Sequence, residues 1–328
     1  MRAPGFWSGG GGVLPLLLSP FAAVYAGVTA RRMAEPGWRA PVPVICCGNA
    51  TAGGAGKTTL ALDVGARLAA RGVGAHFLLR GYGGRLRGPV RVDREAHSAA
   101  DVGDEALLLA HARPAWVSAD RVAGARAAVA ALAQAIVMDD GLQNPGLEKD
   151  LSLLTIDGSF GFGNGRVIPA GPLREPVAAA AARCQAAVLI GPDETGALAA
   201  LPPGLPVLRA RLVPGPEAAT LAGRAVMAFC GIANPAKFFA TLVEAGATIA
   251  GRTSFADHYP FDDGDMETLL REAAGLRATP VTTRKDFVRI PPKFRAAVTV
   301  VTVALEWAQN SEIEALLEPM VHRMPLAL

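Results

Sequence analysis

The clearest chemical pattern in the chain is Gly48-Asn-Ala-Thr-Ala-Gly-Gly-Ala-Gly-Lys-Thr-Thr59, which follows an apolar run and precedes the helical run Leu60–Ala70. Glycines at 53, 54 and 56 let backbone N–H groups converge on phosphate oxygens, and a helix N-terminus adds partial positive charge. Lys57 would reach the β- and γ-phosphates of a nucleotide and Thr58 would ligate Mg²⁺. The strict pattern puts glycine at 51, where this chain has Thr51, and the second lysine of variant loops would stand where it has Ala52. We read Thr51, Ala52, Gly53, Gly54, Ala55, Gly56, Lys57, Thr58 and Thr59 as the cradle for ATP. An ordinary glycine-rich turn is the plain alternative.

A second run, Ile136-Val-Met-Asp-Asp140, is what a strand beside such a loop needs: its carboxylates emerge at the carboxyl end of the sheet, next to a metal. Asp139 and Asp140 join Thr58 as expected Mg²⁺ ligands. Phosphoryl transfer asks a protein to align its substrates, neutralise developing charge and take a proton from the acceptor. Arg80 and Arg121 each follow an expected strand and could neutralise charge, or could equally be surface arginines. Asp104 and Glu105 open the helical run Ala106–Ala112, where the helix dipole alone accounts for carboxylates. His258 follows Asp257, and nothing in the spacing brings it to Asp104. The loop from Asp157 to Pro176 carries Asn164, Arg166 and Arg174, types that bind hydroxyls or phosphate of an acceptor.

Positioning these groups calls for alternating elements. Val42–Cys47, His76–Leu79, Ala115–Ser118, Ile136–Met138, Leu151–Ile156 and Ala186–Ile190 read as buried strands separated by Ala/Leu-rich helical stretches. The expected fold class is α/β: a P-loop NTPase-like, doubly wound and mostly parallel sheet, with a second, smaller α/β domain. The expected divisions are 1–38 for an N-terminal membrane-associated segment, 39–216 for the nucleotide domain and 217–328 for the smaller domain. The boundary near 216 rests on a Pro/Gly-rich stretch before a new strand at Ala225–Cys230.

The chain has 328 residues, 51% hydrophobic, with a formal charge of +3 and its basic residues scattered, so nothing marks a nucleic-acid surface. Only five of the 32 Lys and Arg are lysines, at 57, 149, 237, 285 and 293, which singles each of them out. Cys46, Cys47, Cys184 and Cys230 form no C-x-x-C pair and read as core residues of a reducing compartment.

Between Arg2 and Arg31 there is no charge. Ser19-Pro20 looks like a helix start, and a helix from Pro20 to Met33, of about 14 residues, spans roughly 21 Å, short of the roughly 30 Å of a hydrocarbon core. An interfacial helix is therefore expected, with Arg31 and Arg32 at anionic headgroups. A buried hairpin helix and a cleaved signal peptide are the alternatives.

Across nearly the whole chain, ordered segments resemble the tetraacyldisaccharide 4′-kinase family: GNATAGGAGKTT from Gly48, RGYGG from Arg80, GDE from Gly103, DDGLQ from Asp139, DGSFGFGNGRVIPAGPLREP from Asp157, GIANPAKFF from Gly231, FADHYPF from Phe255 and TTRKD from Thr282. The resemblance implies Mg²⁺-dependent transfer of the ATP γ-phosphate to the 4′-hydroxyl of an acylated glucosamine disaccharide 1-phosphate lipid, at the cytoplasmic face of the bacterial inner membrane. It also implies that Asp104 is the catalytic base, that Glu105 assists the metal and that His258 pairs with the base. Two departures stand out: Thr59 where the family usually has proline, and Arg284 where it has glutamate. A GTPase on the same loop is a rival reading, but guanine readers carry [NT]-K-x-D, whereas Lys285 and Asp286 are adjacent here. A membrane-tethered nucleotide sensor is another, opposed by the acidic residues and His258 together.

Overall fold

The apolar runs do become a parallel sheet, and its centre sits where the phosphate loop leaves it. In chain order the elements of the computed structural model are α1 (Val13–Met33), β1 (Val44–Gly48), α2 (Lys57–Ala70), β2 (Ala75–Leu79), β3 (Val90–Arg91), α3 (Ala99–Val102), α4 (Asp104–Ala110), β4 (Ala115–Val117), α5 (Arg121–Ala130), β5 (Ala135–Asp139), β6 (Leu151–Asp157), α6 (Val177–Ala181), β7 (Ala186–Ile190) and β8 (Val207–Pro214). There follow β9 (Ala225–Cys230), α7 (Pro235–Glu244), β10 (Thr248–Ser254), α8 (Asp263–Gly275), β11 (Thr279–Thr283), α9 (Arg284–Phe287), β12 (Thr299–Val301), β13 (Val303–Trp307) and α10 (Asn310–His322). The structure describes residues 4–9 and 12–322; the parts of the expected terminal segments at 1–3, 10, 11 and 323–328 lie outside the described residues.

The large sheet has the order β13-β8-β7-β6-β1-β5-β2-β4-β3, parallel except at its two edges, where β13 and β3 run antiparallel. Strand alternation splits its core. Ile45 and Cys47 face Leu60, Val64 and Leu68 of α2 together with Leu107 of α4. Val44 and Cys46 face the opposite side, with Ala125 and Ala128 of α5. The adjacent cysteines thus do point to opposite faces, and all four cysteines are free and buried. Each fully buried leucine in these layers contributes about 1.5–3 kcal/mol of hydrophobic stabilisation.

A second, four-stranded parallel sheet, β10-β9-β11-β12, carries α7 and α8. The first strand of this sheet begins at Ala225, and the chain then comes back. β13 pairs with β8, Leu305 opposite Leu212, and α10 docks on α2 through Arg67, Arg71 and Glu314. Residues 303–322 therefore pack with the first sheet, a long-range pairing that no local composition signals.

Helix α1 also differs from expectation: it starts at Val13 rather than at Pro20 and runs for 21 residues. Pro20 sits inside it, where its missing N–H costs one backbone bond, and Ser19 Oγ donates to the Pro15 carbonyl (2.8 Å) instead of capping a start. At about 1.5 Å per residue the helix is roughly 31 Å long, so length no longer argues against crossing a bilayer.

Candidate active site

Parallel strands deliver their following loops to one edge of the sheet, and the sequence motifs converge there. β1 pairs with β5 in a register that sets Cys47 opposite Asp139, so the phosphate loop and the acidic turn are neighbours by construction. Gly56 takes a left-handed φ of 82° as the N-cap of α2, and no side chain caps that helix, which leaves its first-turn N–H groups to the loop. Lys57 Nζ donates to Gly53 O (3.0 Å) and Asn49 Oδ1 (3.1 Å) and lies 3.7 Å from Asp140. Two cradle residues are otherwise committed: Ala52 N–H donates to Pro172 O (2.7 Å), and Thr51 bridges to Leu173. Gly53, Gly54, Ala55 and Thr59 keep their places along the loop and the first turn of α2.

Thr58 Oγ1 donates to Asp139 Oδ2 (2.8 Å), while Asp139 Oδ1 is buried without a partner among the described residues. Burial, followed by repulsion from Glu105, pushes the Asp139 carboxyl up to about 7. A buried carboxylate with one unused oxygen, beside a threonine hydroxyl, fits a divalent cation. No group of three or more acidic, His or Cys side chains surrounds a common point among the described residues. Asp140 is used differently. Both its oxygens accept from Arg174 (2.7 and 3.0 Å), and the charges of Lys57 and Arg174 outweigh burial to hold its carboxyl below the ordinary range.

The loop 157–176 was the expected acceptor site, and its three candidates separate. Arg174 belongs to the acidic turn. Asn164 braces its own loop by donating to Ala170 O and ties it to the N-terminal segment by donating to Phe6 O. Arg166 reaches α1, where Nη1 donates to Ser19 Oγ (2.9 Å). The arginine candidates sit close together: Arg121 is buried, donates to Ser118 O (2.6 Å) and leaves its Nε unpartnered among the described residues. Burial, then the charge of Arg80 nearby, lowers the Arg121 guanidinium to about 10. Arg80 itself is exposed.

Asp104 and His258, 154 positions apart, do meet: His258 Nδ1 lies 2.9 Å from Asp104 Oδ2. Asp104 opens α4 after Gly103, where a Cβ would come within 2.5 Å of the Tyr82 carbonyl, so only glycine lets the RGYGG loop pass this close. His258 comes from the loop after β10 with a left-handed φ of 61°. Burial alone would raise the Asp104 carboxyl, but the His258 hydrogen bond and the charges of Lys285, His258 and Arg289 hold it below the ordinary range. Glu105 faces Lys285 (3.7 Å). Lys285 and Arg289 escaped the sequence reading as site residues; lysine scarcity and the TTRKD segment were the available signal for Lys285, and Arg289 had none.

A family model described as tetraacyldisaccharide-1-P 4′-kinase matches residues 14–322 of the chain. The tetraacyldisaccharide 4′-kinase of Gluconacetobacter diazotrophicus is 60% identical over 319 residues, covering 97% of this chain and 98% of that protein. The enzyme of the same name from Rhodospirillum rubrum is 54% identical over 326 residues, covering 98% of each. A crystal structure of LpxK from Aquifex aeolicus in complex with ATP matches with a TM-score of 0.76 at 24% identity, covering 94% of this chain and 99% of that one, which shows a shared fold.

Proposed function

The chain belongs to the tetraacyldisaccharide-1-P 4′-kinase family, and on that premise we propose how its own residues divide the family's reaction between them. The reaction is a step of lipid A biosynthesis: transfer of the ATP γ-phosphate to the 4′-hydroxyl of a tetraacylated glucosamine disaccharide 1-phosphate. Lys57 and the N–H groups from Gly53 to Thr58 hold the phosphates, and Arg121 with Arg80 stabilises charge on the transferred group. Thr58 and the free oxygen of Asp139 would hold Mg²⁺, which when bound neutralises charge between the phosphates, with Glu105 at the edge of its shell. Arg174 pins Asp140 beside Lys57. Asp104, kept ionised, accepts the proton of the 4′-hydroxyl, and His258 orients it. The Asp104–His258 contact carries this reading, because it joins α4 to the loop of the second sheet at 2.9 Å. Two domains follow: one from 39 to 216 with 303–322 returned to it, the other from 217 to 302.

Membrane attachment rests on α1. Val13, Leu16, Leu17, Phe21, Val24 and Val28 are exposed on one side, while Pro15, Ala22 and Thr29, at heptad spacing, are buried against the body. Crossing a bilayer would drag the docked loop and Arg166 into hydrocarbon, so the helix lies in the cytoplasmic interface, with Arg31 and Arg32 toward anionic headgroups.

Purified protein with ATP, Mg²⁺ and disaccharide 1-phosphate lipid should yield a product heavier by one phosphate in mass spectra. Recovery of unmodified lipid with only ATP hydrolysis would sink the assignment of the acceptor.

A further inference from the structure

The imidazole of His258 has three charged neighbours, and they ask for different tautomers. Nδ1 faces Asp104 Oδ2 at 2.9 Å. On the other ring nitrogen, Nε2, Lys285 Nζ lies at 3.4 Å and Asp257 Oδ2 at 3.5 Å. A carboxylate accepts only and an ammonium donates only. Asp257 therefore favours hydrogen on Nε2, which in a neutral ring leaves a bare Nδ1 facing the Asp104 carboxylate. Lys285 favours a bare Nε2, which puts the hydrogen on Nδ1, where Asp104 accepts it.

We propose that Lys285 is a positioning residue for the acceptor half of the site: its ammonium donates to His258 Nε2 and fixes the Nδ1–H tautomer presented to Asp104. The same ammonium lies 3.9 Å from Asp257 Oδ1 and draws the competing carboxylate toward itself. The backbone beneath it is held in place. Lys285 is the second residue of α9, whose start is capped by Thr283 Oγ1 accepting from Asp286 N–H (3.1 Å). Asp286 is fully buried and accepts from Gly231 N–H (2.9 Å), Thr283 Oγ1 (2.6 Å) and Arg289 Nη2 (2.6 Å). Arg289 Nη1 in turn donates to Tyr259 O (3.1 Å), the carbonyl next to His258. One buried pair thus fixes both the lysine and the loop that carries the imidazole.

The effect on catalysis rests on Asp104 being the base; the tautomer does not. In substrate-free, ¹⁵N-labelled protein, long-range ¹⁵N–¹H correlation assigns the His258 tautomer, with His258→Gln identifying its signals. Wild type and Lys285→Arg, which keeps a charged donor, should both show Nδ1–H. Lys285→Met should shift the ring toward Nε2–H and lower kcat about tenfold, with KM for ATP within about twofold. Lys285→Ala is the second loss variant if methionine disturbs folding. A Lys285→Met or Lys285→Ala protein whose His258 keeps the Nδ1–H form overturns the proposal whatever its kcat. Full kcat in Asp104→Asn would overturn the base assignment alone, leaving the tautomer result standing.

Discussion

The two halves of the site are built in opposite ways. The nucleotide half comes from neighbouring elements around one sheet: β1, its loop, α2 and the end of β5 meet because adjacent parallel strands in register allow little else. The proposed acceptor half lies where two sheets face each other, with Asp104 on α4, His258 from the loop after β10, and Lys285 and Arg289 from α9 and the turn after it. Its support between the two sheets includes Lys237 on α7, which pairs with both oxygens of Asp157 at the end of β6 (2.8 and 2.9 Å). The nucleotide half should therefore tolerate changes in domain placement, whereas the acceptor half should be sensitive to them.

The largest effect that divides the halves should come from Asp104→Asn, which keeps the shape and removes the proposed base: kcat should fall by about 10²–10⁴ while ATP affinity holds. Adding His258→Ala should make the double variant barely worse, because the second removal has no working partner left. Additive losses would mean that the two act separately. Lys57→Ala should cost about 10²–10³ in kcat with an unchanged circular dichroism spectrum, and here ATP affinity should fall as well. Near-normal activity in that folded variant would remove the phosphate loop from the mechanism.

Asp139 allows a test without turnover. Its carboxyl is raised from the ordinary 3.8 to about 7, so the native state binds its proton more tightly than the unfolded chain does. That contribution to stability is fully present below about pH 4 and is lost as pH rises through 7. In Mg²⁺-free protein, Asp139→Asn should raise stability at pH 8 by on the order of 1–3 kcal/mol and leave it unchanged near pH 4, read from thermal melts. A gain of equal size at both pH values would show that the carboxylate is not the source. The smallest effect is expected at the interdomain pair, which is partly exposed. Lys237→Ala should raise KM for the lipid a few-fold, with ATP affinity and Tm nearly unchanged. An equal loss in ATP affinity would erase the contrast between the halves.

The nucleotide half was legible because each of its signals is local. Glycine spacing, a buried strand before the loop and a helix after it specify one backbone path, and the resemblance of whole segments carried the family. Seven strands stand within two residues of where apolar runs placed them, since full burial on both faces leaves a continuous signature. Tertiary structure alone decided the rest. Spacing could not say that His258 reaches Asp104, that Lys285 stands behind it, or that Arg174 pairs with Asp140, because a side chain's partner across a fold leaves no period in the sequence. Pro20 read as a helix start for the same reason: local propensity favours it there, and only the docked face at Pro15, Ala22 and Thr29 shows the helix running through it. The return of β13 to β8 is likewise a long-range pairing, made at the edge that the first sheet offers, where Leu305 and Trp307 join its core.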